Sequence, residues 1–233
     1  KGGSKTGNLS EKLMEELNCK VVFTIPVGKG LPIYESVVVT WIVMAILVLL
    51  SIILVRNLKV ENPGKKQLAL EAGYLFFRNF FHNLLGERGA RYIPYMTMIV
   101  LFIGLSNIMG VFGFVPPTKD IGVTIGLAIM SIILIEYSGI HQKGTKGWLK
   151  SFAEPIPIML PINILELGIR PLSLCMRLFG NVLGSYVVMK LIEIICPILL
   201  PIPFNLYFDF FDGFIQAYVF VFLTSLFIGE AIE

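Results

Sequence analysis

The chain has 233 residues, of which 55% are hydrophobic and 15% charged, and its formal net charge is +3. Soluble globular domains carry about 25% charged residues, so this composition excludes a soluble domain and predicts an integral membrane protein. The basic residues are distributed over short segments and do not form one patch. This pattern argues against a nucleic-acid partner.

The cysteines give no sign of a metal or redox site. Cys19, Cys175 and Cys196 are odd in number and widely separated, without the spacing of a zinc site or a redox pair. We therefore expect them to be small apolar residues, and we predict neither a metal ion nor a cofactor.

The apolar residues are gathered in long runs. Residues 1–35 are mostly polar and are predicted to form a tail, and residues 36–233 a single membrane domain. A helix needs roughly 20 apolar residues to cross a bilayer. Five such spans are predicted, at about 37–55, 93–114, 121–138, 157–195 and 204–230. The predicted fold class is an all-α membrane protein with five transmembrane helices.

The segment from about 66 to 88, between the first two spans, follows a different pattern. Polar residues such as Gln67, Glu71 and Arg78 recur every three or four positions, and Leu and Phe occupy the opposite face. This periodicity predicts a sixth, amphipathic helix that lies along the membrane interface.

Two joining segments are also distinctive. The run HQKGTKGWLK, after the third span, predicts a basic loop. The three prolines of CPILLPIPFN predict a break between the last two spans, because proline interrupts helical hydrogen bonding. The last two spans would then form a hairpin of long helices.

The basic residues of these segments predict the orientation. They lie on one side of the membrane if the amphipathic helix does not cross it: Arg56, Lys59, Lys65, Lys66, Arg88, Arg91, Lys143, Lys146 and Lys150. The positive-inside rule then places the N-terminus outside and the C-terminus in the cytoplasm.

Two of the long spans carry polar side chains at helical spacing. The fourth span has Glu166, Arg170, Ser173, Arg177, Asn181 and Ser185, and the last span has Asn205, Asp209, Asp212 and Gln216. Steps of three and four residues place each set on one helix face. Such a face requires water or a protein partner, since lipid cannot solvate it.

Arg177 is the most unusual of these residues. No charge occurs from 171 to 176 or from 178 to 189, so no carboxylate lies one turn away. A charge at membrane depth costs roughly 3 kcal/mol on insertion scales and over 10 kcal/mol in simulations. We therefore expect its partner on another helix or another chain.

The other charged residues allow more than one interpretation. Arg170 has Glu166 four residues earlier and would form a structural pair with it. Asp212 would serve either as a helix cap or as part of a polar path. Asp209 shares a predicted face with Gln216, which favours a water-filled path.

The run PLSLCMRLFGN resembles the most recognisable segment of the a subunit of F-type ATP synthases. The similarity extends to PPTKDIGVTIGLA, GIHQKGTKGWLKSFAEPIPIMLPINILE and FIQAYVFVFLTSLFI, and covers most of the chain from about residue 60. The resemblance implies a stator in a bacterial plasma membrane, beside a rotating ring of c subunits and joined to peripheral-stalk b subunits. It also implies H⁺ or Na⁺ as the transported ion and strong tilting of the two polar-faced helices.

Individual residues carry the resemblance further. Arg177 matches the family's essential arginine, and Asn181, Ser173 and Gln216 match residues lining its two half-channels. The predicted ion-translocation set is completed by Asp209, Asp212, Glu166, Arg170 and Tyr186. The chain has no phosphate-binding loop, so the resemblance implies that catalysis resides on partner chains.

Two positions depart from the family pattern. Many members have a glutamate nine residues after the arginine, where this chain has Tyr186. The position seven residues before the glutamine, often histidine, is Asp209. We interpret this as a transfer of the outer acidic group to the last span, which makes Asp209 the predicted ion-uptake carboxylate.

The alternatives fit the sequence less well. A secondary transporter with a charged midplane site would show internal repeats and broken helices in both halves, and we see no repeat. An intramembrane enzyme would need a nucleophile with a base or a metal cluster. The sequence has only two histidines, His82 and His141, both near predicted membrane edges, and it contains neither H-E-x-x-H nor G-x-S-x-G. A structural scaffold would explain the hydropathy but not the lone Arg177.

Overall fold

The computed structural model describes residues 21–25, 31–56, 58–59, 64–152, 158, 160–195 and 201–232. Two strands come first, β1 (Val21–Ile25) and β2 (Leu31–Tyr34). The helices are α1 (Glu35–Val55), α2 (Lys65–Leu85), α3 (Ile93–Ile108), α4 (Ile121–Ser151), α5 (Leu160–Ile195), α6 (Pro201–Asn205) and α7 (Gly213–Ile232). A π-helical segment, Leu206–Asp212, joins α6 to α7.

Five helical segments are long and apolar enough to cross a bilayer. They are Glu35–Val55, Ala90–Phe112, Ile121–Ser151, Leu160–Glu193 and Pro203–Ile232. The expected all-α membrane protein with five spans is therefore confirmed. The amphipathic α2 is not among these five segments, and its position along the interface stays a prediction.

The N-terminal part contains a small sheet that the sequence analysis did not predict. Strands β1 and β2 pair in antiparallel fashion, with Thr24 opposite Pro32 and Ile25 opposite Leu31. The strand VVFTI is rich in β-branched and aromatic residues, which suit a strand. The rest of the predicted tail, residues 1–20, lies outside the described residues.

The core lies where α3, α4, α5 and α7 meet. Met96, Ile103, Ile135, Leu174 and Ile228 are among its buried apolar side chains. Small hydroxyl side chains are buried with them: Thr124, Ser131, Thr224 and Ser225. Small residues allow membrane helices to approach closely, which explains their place in an apolar core.

The predicted basic loop HQKGTKGWLK is helical in the structure. Helix α4 continues through it to Ser151 and changes direction at Gly144, whose φ is +71°. Glycine adopts such a φ without a steric penalty, so the chain turns and resumes its helix. The indole of Trp148 then donates a hydrogen bond of 2.8 Å to Glu136, on the other side of the turn. The loop prediction was wrong, since the segment is helical on both sides of Gly144 and this hydrogen bond joins the two parts of α4.

The last span is helical but not α-helical throughout. Residues Leu206–Asp212 form the π-helical segment, whose hydrogen bonds join residues five apart. The predicted single face of Asn205, Asp209, Asp212 and Gln216 assumed regular α-helical spacing. In the structure Gln216 is buried, whereas Asp209 and Asp212 line a cavity. Asn205 lines the same cavity, and Gln216 contacts Asp212, so the four residues stay close together in spite of the π-helical spacing. Their joint role as one polar face stays a prediction.

Candidate functional site

Two polar cavities lie toward opposite ends of α5. The first, which we call the Asp209 cavity, has a volume of about 360 Å³. Its polar lining includes Lys119, Asp120, Ser185, Tyr186, Asp209 and Asp212. The second, the Arg170 cavity, has a volume of about 280 Å³. Its polar lining includes Glu136, Trp148, Asn163, Glu166, Arg170 and Glu230.

Asp209 projects from the π-helical segment into the first cavity. Its carboxylate lies directly against Gly110, because a Cβ built on that glycine would be 2.7 Å from Asp209 Cγ. Among the residues that the structure describes, none forms a hydrogen bond or an ion pair with this carboxylate. Asp209 is half-buried, so its oxygens border the cavity without a protein partner in the described chain.

The neighbouring Asp212 and Gln216 make a contact of their own. Gln216 Nε2 donates a long hydrogen bond of 3.5 Å to Asp212 Oδ1. Asp212 belongs to the last turn of the π-helical segment, before α7 begins at Gly213. This contact distinguishes Asp212 from Asp209, although both line the same cavity.

Asn107 fixes the end of the π-helical segment against α3. Its Nδ2 donates a hydrogen bond of 3.0 Å to the carbonyl of Gly213, and its Oδ1 accepts one of 2.7 Å from Thr118. Asn107 is 4% exposed and Thr118 is fully buried. A buried amide that is satisfied on both sides stabilises one arrangement of these elements. The sequence analysis did not predict this contact, because nothing in the pattern relates Asn107 to a glycine so far along the chain.

Lys119 and Tyr186 also line the Asp209 cavity. Lys119 is 5% exposed, and its Nζ lies 3.5 Å from the centre of the Tyr186 ring. The Nζ of Lys190 lies 5.7 Å from the same ring and 2.9 Å from Glu193 Oε2. A cation over an aromatic face is attracted by the ring quadrupole. The ring of Tyr186, at the position where many family members have glutamate, therefore attracts the ammonium groups of Lys119 and Lys190.

The anchoring of α1 to α4 also lies at this cavity. The hydroxyl of Ser36 donates a hydrogen bond to Asp120 Oδ2, and Asp120 Oδ1 accepts one of 2.8 Å from the Gly122 amide. Asp120 thus caps α4 and holds the start of α1. The sequence analysis assigned it no role.

Arg170 joins α5 to α7 at the second cavity. Its Nη2 lies 3.1 Å from Glu166 Oε1 and 3.0 Å from Glu230 Oε2. Its guanidinium also lies over Phe227, with Cζ 4.9 Å from the ring centre. The expected pair with Glu166 is present. The contact with Glu230 was not predicted, because it depends on how α7 packs against α5.

Arg177 lies between the two cavities and lines neither of them. It follows Arg170 by seven residues and precedes Val182, a lining residue of the Asp209 cavity, by five. The residue is exposed, as are Ser173 and Asn181. Within the described ranges, no carboxylate oxygen lies within 4.0 Å of its guanidinium nitrogens. The middle of the polar stripe on α5 therefore faces outward, and no described part of the chain neutralises Arg177.

Comparison with known proteins decides the family. Residues 37–229 match the family model described as ATP synthase A chain. The chain belongs to this family. Members are components of the membrane sector of a rotary ATP synthase. This finding rules out the alternative interpretation of the sequence as a secondary transporter.

Two curated relatives show the extent of the similarity. ATP synthase subunit a of Moorella thermoacetica is 36% identical over 204 residues, covering 87% of this chain and 93% of the relative. A protein of Propionigenium modestum named "ATP synthase subunit a, sodium ion specific" is 33% identical over 219 residues. That alignment covers 87% of this chain and 75% of the relative.

Proposed function

We propose that this chain is the ion-translocating stator of the membrane sector, with two offset half-channels separated by Arg177. The observation that carries the proposal is an exposed guanidinium between two polar cavities, without a carboxylate partner in the described chain. The Asp209 cavity is one half-channel and the Arg170 cavity is the other. The carboxylate that Arg177 requires would belong to the ring of c subunits.

The separation of the cavities supports this arrangement. Val182, which lines the Asp209 cavity, follows Arg170 by twelve positions on α5, which at 1.5 Å per residue is about 18 Å along the helix axis. Among the described residues, none lines both cavities. A continuous water path would let ions leak across the membrane. Two separated cavities require each ion to be carried from one to the other, which a rotating ring would do.

Arg177 is suited to the barrier between them. A guanidinium stays protonated at every working pH. Its attraction for a ring carboxylate at 4 Å is about 4 kcal/mol at an effective dielectric of 20. This attraction favours the ionised carboxylate, so an ion bound there is released as the ring subunit approaches. The same positive charge repels a cation that would cross directly between the cavities.

The orientation follows from the basic segments. We place Lys143, Lys146 and Lys150 in the cytoplasm, with the N-terminus outside and the C-terminus inside. The Asp209 cavity, which contains the start of α1, then opens outward, and the Arg170 cavity opens to the cytoplasm. The membrane potential supplies about 2.3 kcal/mol per charge per 100 mV and so biases the direction of rotation.

The proposed partners are the ring of c subunits, peripheral-stalk b subunits and the lipid of a bacterial plasma membrane. The exposed side chains of Ser173, Arg177 and Asn181 would face the ring. We propose H⁺ as the coupling ion. Na⁺ is the second candidate, because one relative is named sodium ion specific. The chain itself would be non-catalytic, with ATP synthesis on partner chains.

Thiol labelling from each side of the membrane tests the two half-channels. With the native cysteines replaced by serine, Ser185→Cys in the Asp209 cavity should react with a membrane-impermeant thiol reagent added outside. Leu167→Cys in the Arg170 cavity should react only from the cytoplasmic side. The control is Leu174→Cys, which is 1% exposed and should react from neither side. Labelling of both cavity positions from one side would contradict the proposal.

The two contacts of Arg170 give a second prediction. A lysine ammonium lacks the planar fork that reaches two carboxylates, so Arg170→Lys should lower ATP-driven ion uptake by vesicles several-fold. Glu230→Gln should do the same, because it removes one of the two acceptors. The double variant should be no slower than Arg170→Lys alone, since residues in contact act non-additively. If the double variant instead loses uptake by the product of the two single-variant factors, the contact between Arg170 and Glu230 is unimportant for uptake. Arg91→Lys, an exposed site beside His141, is the control and should change nothing.

A further inference from the structure

The carboxylate of Asp209 occupies space that only glycine leaves open. A Cβ built at position 110 would lie 2.7 Å from Cγ, 2.7 Å from Oδ2 and 2.8 Å from Oδ1 of Asp209. All three distances are too short for non-bonded atoms, so the whole carboxylate lies against the glycine backbone. Gly110 belongs to a short 3₁₀ turn, Met109–Phe112, that follows α3.

The backbone of Gly110 does not itself require glycine. The glycines with a positive φ among the described residues are Gly86, Gly113 and Gly144. Gly113, three residues further on, has φ +82° and nothing within 4 Å of its built Cβ. The two positions therefore differ in kind. Glycine at 113 satisfies a backbone conformation, whereas glycine at 110 leaves room for the Asp209 carboxylate.

A contact between Asn107 and Gly213 holds the two segments that carry Gly110 and Asp209 together. On the α3 side, Asn107 lies three residues before Gly110 and donates a hydrogen bond to Gly213. Gly213 also approaches Asn107 closely, since a Cβ built there would be 2.7 Å from Asn107 Cβ. Asp209 lies in the middle of the π-helical segment that ends at this junction. Short π-helical segments inside α-helices frequently occur at functional sites.

We infer that Gly110 is a positioning residue for the ion-uptake carboxylate: its missing side chain forms a seat that directs the Asp209 oxygens into the Asp209 cavity. The seat fixes the carboxylate by shape, because no described residue holds it by a hydrogen bond or an ion pair. Both oxygens thus remain available to water or to the incoming ion. This inference rests on the proposed role of Asp209 in ion uptake.

A methyl group at position 110 would push the carboxylate out of its seat without removing its charge. The cavity would then bind ions more weakly from outside, while the steps at Arg177 would be unaffected. We therefore expect Gly110→Ala to raise, several-fold, the external ion concentration that gives half-maximal ATP synthesis. The maximal rate at saturating ion should be retained.

The experiment uses the complete synthase in vesicles with an imposed membrane potential. ATP synthesis is measured against external pH and, separately, against external sodium chloride. The matched control is Gly126→Ala on α4, because nothing lies within 4 Å of a Cβ built at that glycine. A Gly110→Ala profile that coincides with the Gly126→Ala profile would overturn the inference.

A third variant separates the failure of this inference from the failure of the proposed function. If Gly110 acts only through the carboxylate, Gly110→Ala should add nothing to Asp209→Asn. A further loss in the double variant, or a lower maximal rate without a shift, would make Gly110 a merely structural residue. If Asp209→Asn alone changes nothing, it is the proposed role of Asp209 that fails.

Assembly gives a last readout. If Gly110→Ala prevents assembly of the synthase, the smaller side chain of Asp209→Ser should restore it, because the steric conflict is with Asp209. Failure of Asp209→Ser to restore assembly would overturn the inference.

Discussion

Arg177→Ala is expected to abolish ion-driven ATP synthesis and to leave the subunit folded in the membrane. The guanidinium is exposed, and no described carboxylate pairs with it, so its removal breaks no ion pair of the described fold. In the proposed function, what is lost is the attraction for the ring carboxylate, about 4 kcal/mol at 4 Å and an effective dielectric of 20. A loss of that size corresponds to roughly a thousandfold change in rate.

The measurement is ATP synthesis by vesicles under an imposed ion gradient and membrane potential, with the amount of subunit in the membrane determined by immunoblot. Arg78→Ala is a suitable control, because Arg78 is an exposed arginine on α2, away from both cavities. Its synthesis rate should equal that of the unaltered complex. Undiminished coupled synthesis in Arg177→Ala would refute the barrier assignment.

The two arginines of α5 differ in what satisfies them. Arg170 is bound by Glu166 and Glu230, so its charge is neutralised within the chain. Arg177 receives no such compensation from the described residues and faces outward. A bound arginine positions helices, whereas an exposed one is available to a passing partner. In the proposed function, two arginines seven residues apart on one helix would therefore serve different purposes.

The absence of a carboxylate one turn from Arg177 could be predicted from sequence because it depends on local spacing, whereas the sequence left a partner on another helix open. Helix α5 is continuous from Leu160 to Ile195 although it contains Pro171, so residues three and four positions away are the near neighbours along it. The pair between Glu166 and Arg170 is local in the same sense. Predictions of this kind need only the helical period and the presence of the helix.

The contacts between elements could not be predicted in this way. Gly110 and Asp209, Asn107 and Gly213, and Arg170 and Glu230 are brought together by helix packing. A single sequence carries no periodic signal for such pairs. The π-helical segment was missed for a related reason, since the pattern analysis assumed 3.6 residues per turn throughout the last span.

The misassigned basic segment shows how composition can mislead. Lysine and glycine in HQKGTKGWLK are typical of a loop, yet lysine is also a good helix former. In the structure the segment is helical, and Trp148 donates a hydrogen bond to Glu136. Its partners lie on different sides of the turn at Gly144, so only the folded chain reveals it.

Asp209→Asn is expected to slow ion uptake from outside while leaving the geometry of the Asp209 cavity unchanged. Asparagine has nearly the same shape as aspartate and would fit against Gly110 in the same way. It cannot carry a negative charge, so a cation in the cavity loses a half-buried carboxylate that forms no hydrogen bond or ion pair with a described residue. A loss of about 1.4 kcal/mol of ion binding corresponds to a tenfold change in half-saturating concentration.

The rate of ATP synthesis measured against external pH and external sodium would show this shift, and the ion whose dependence moves would be the coupling ion. Asp212→Asn is the matched control, because Asp212 lines the same cavity but accepts a hydrogen bond from Gln216. It should shift the profile less, since its carboxylate is already engaged. Equal shifts in the two variants would mean that the cavity responds to its total charge, whereas an unchanged profile in Asp209→Asn would exclude this carboxylate from ion uptake. A shift confined to Asp209→Asn would identify the residue seated on Gly110 as the group that receives the ion.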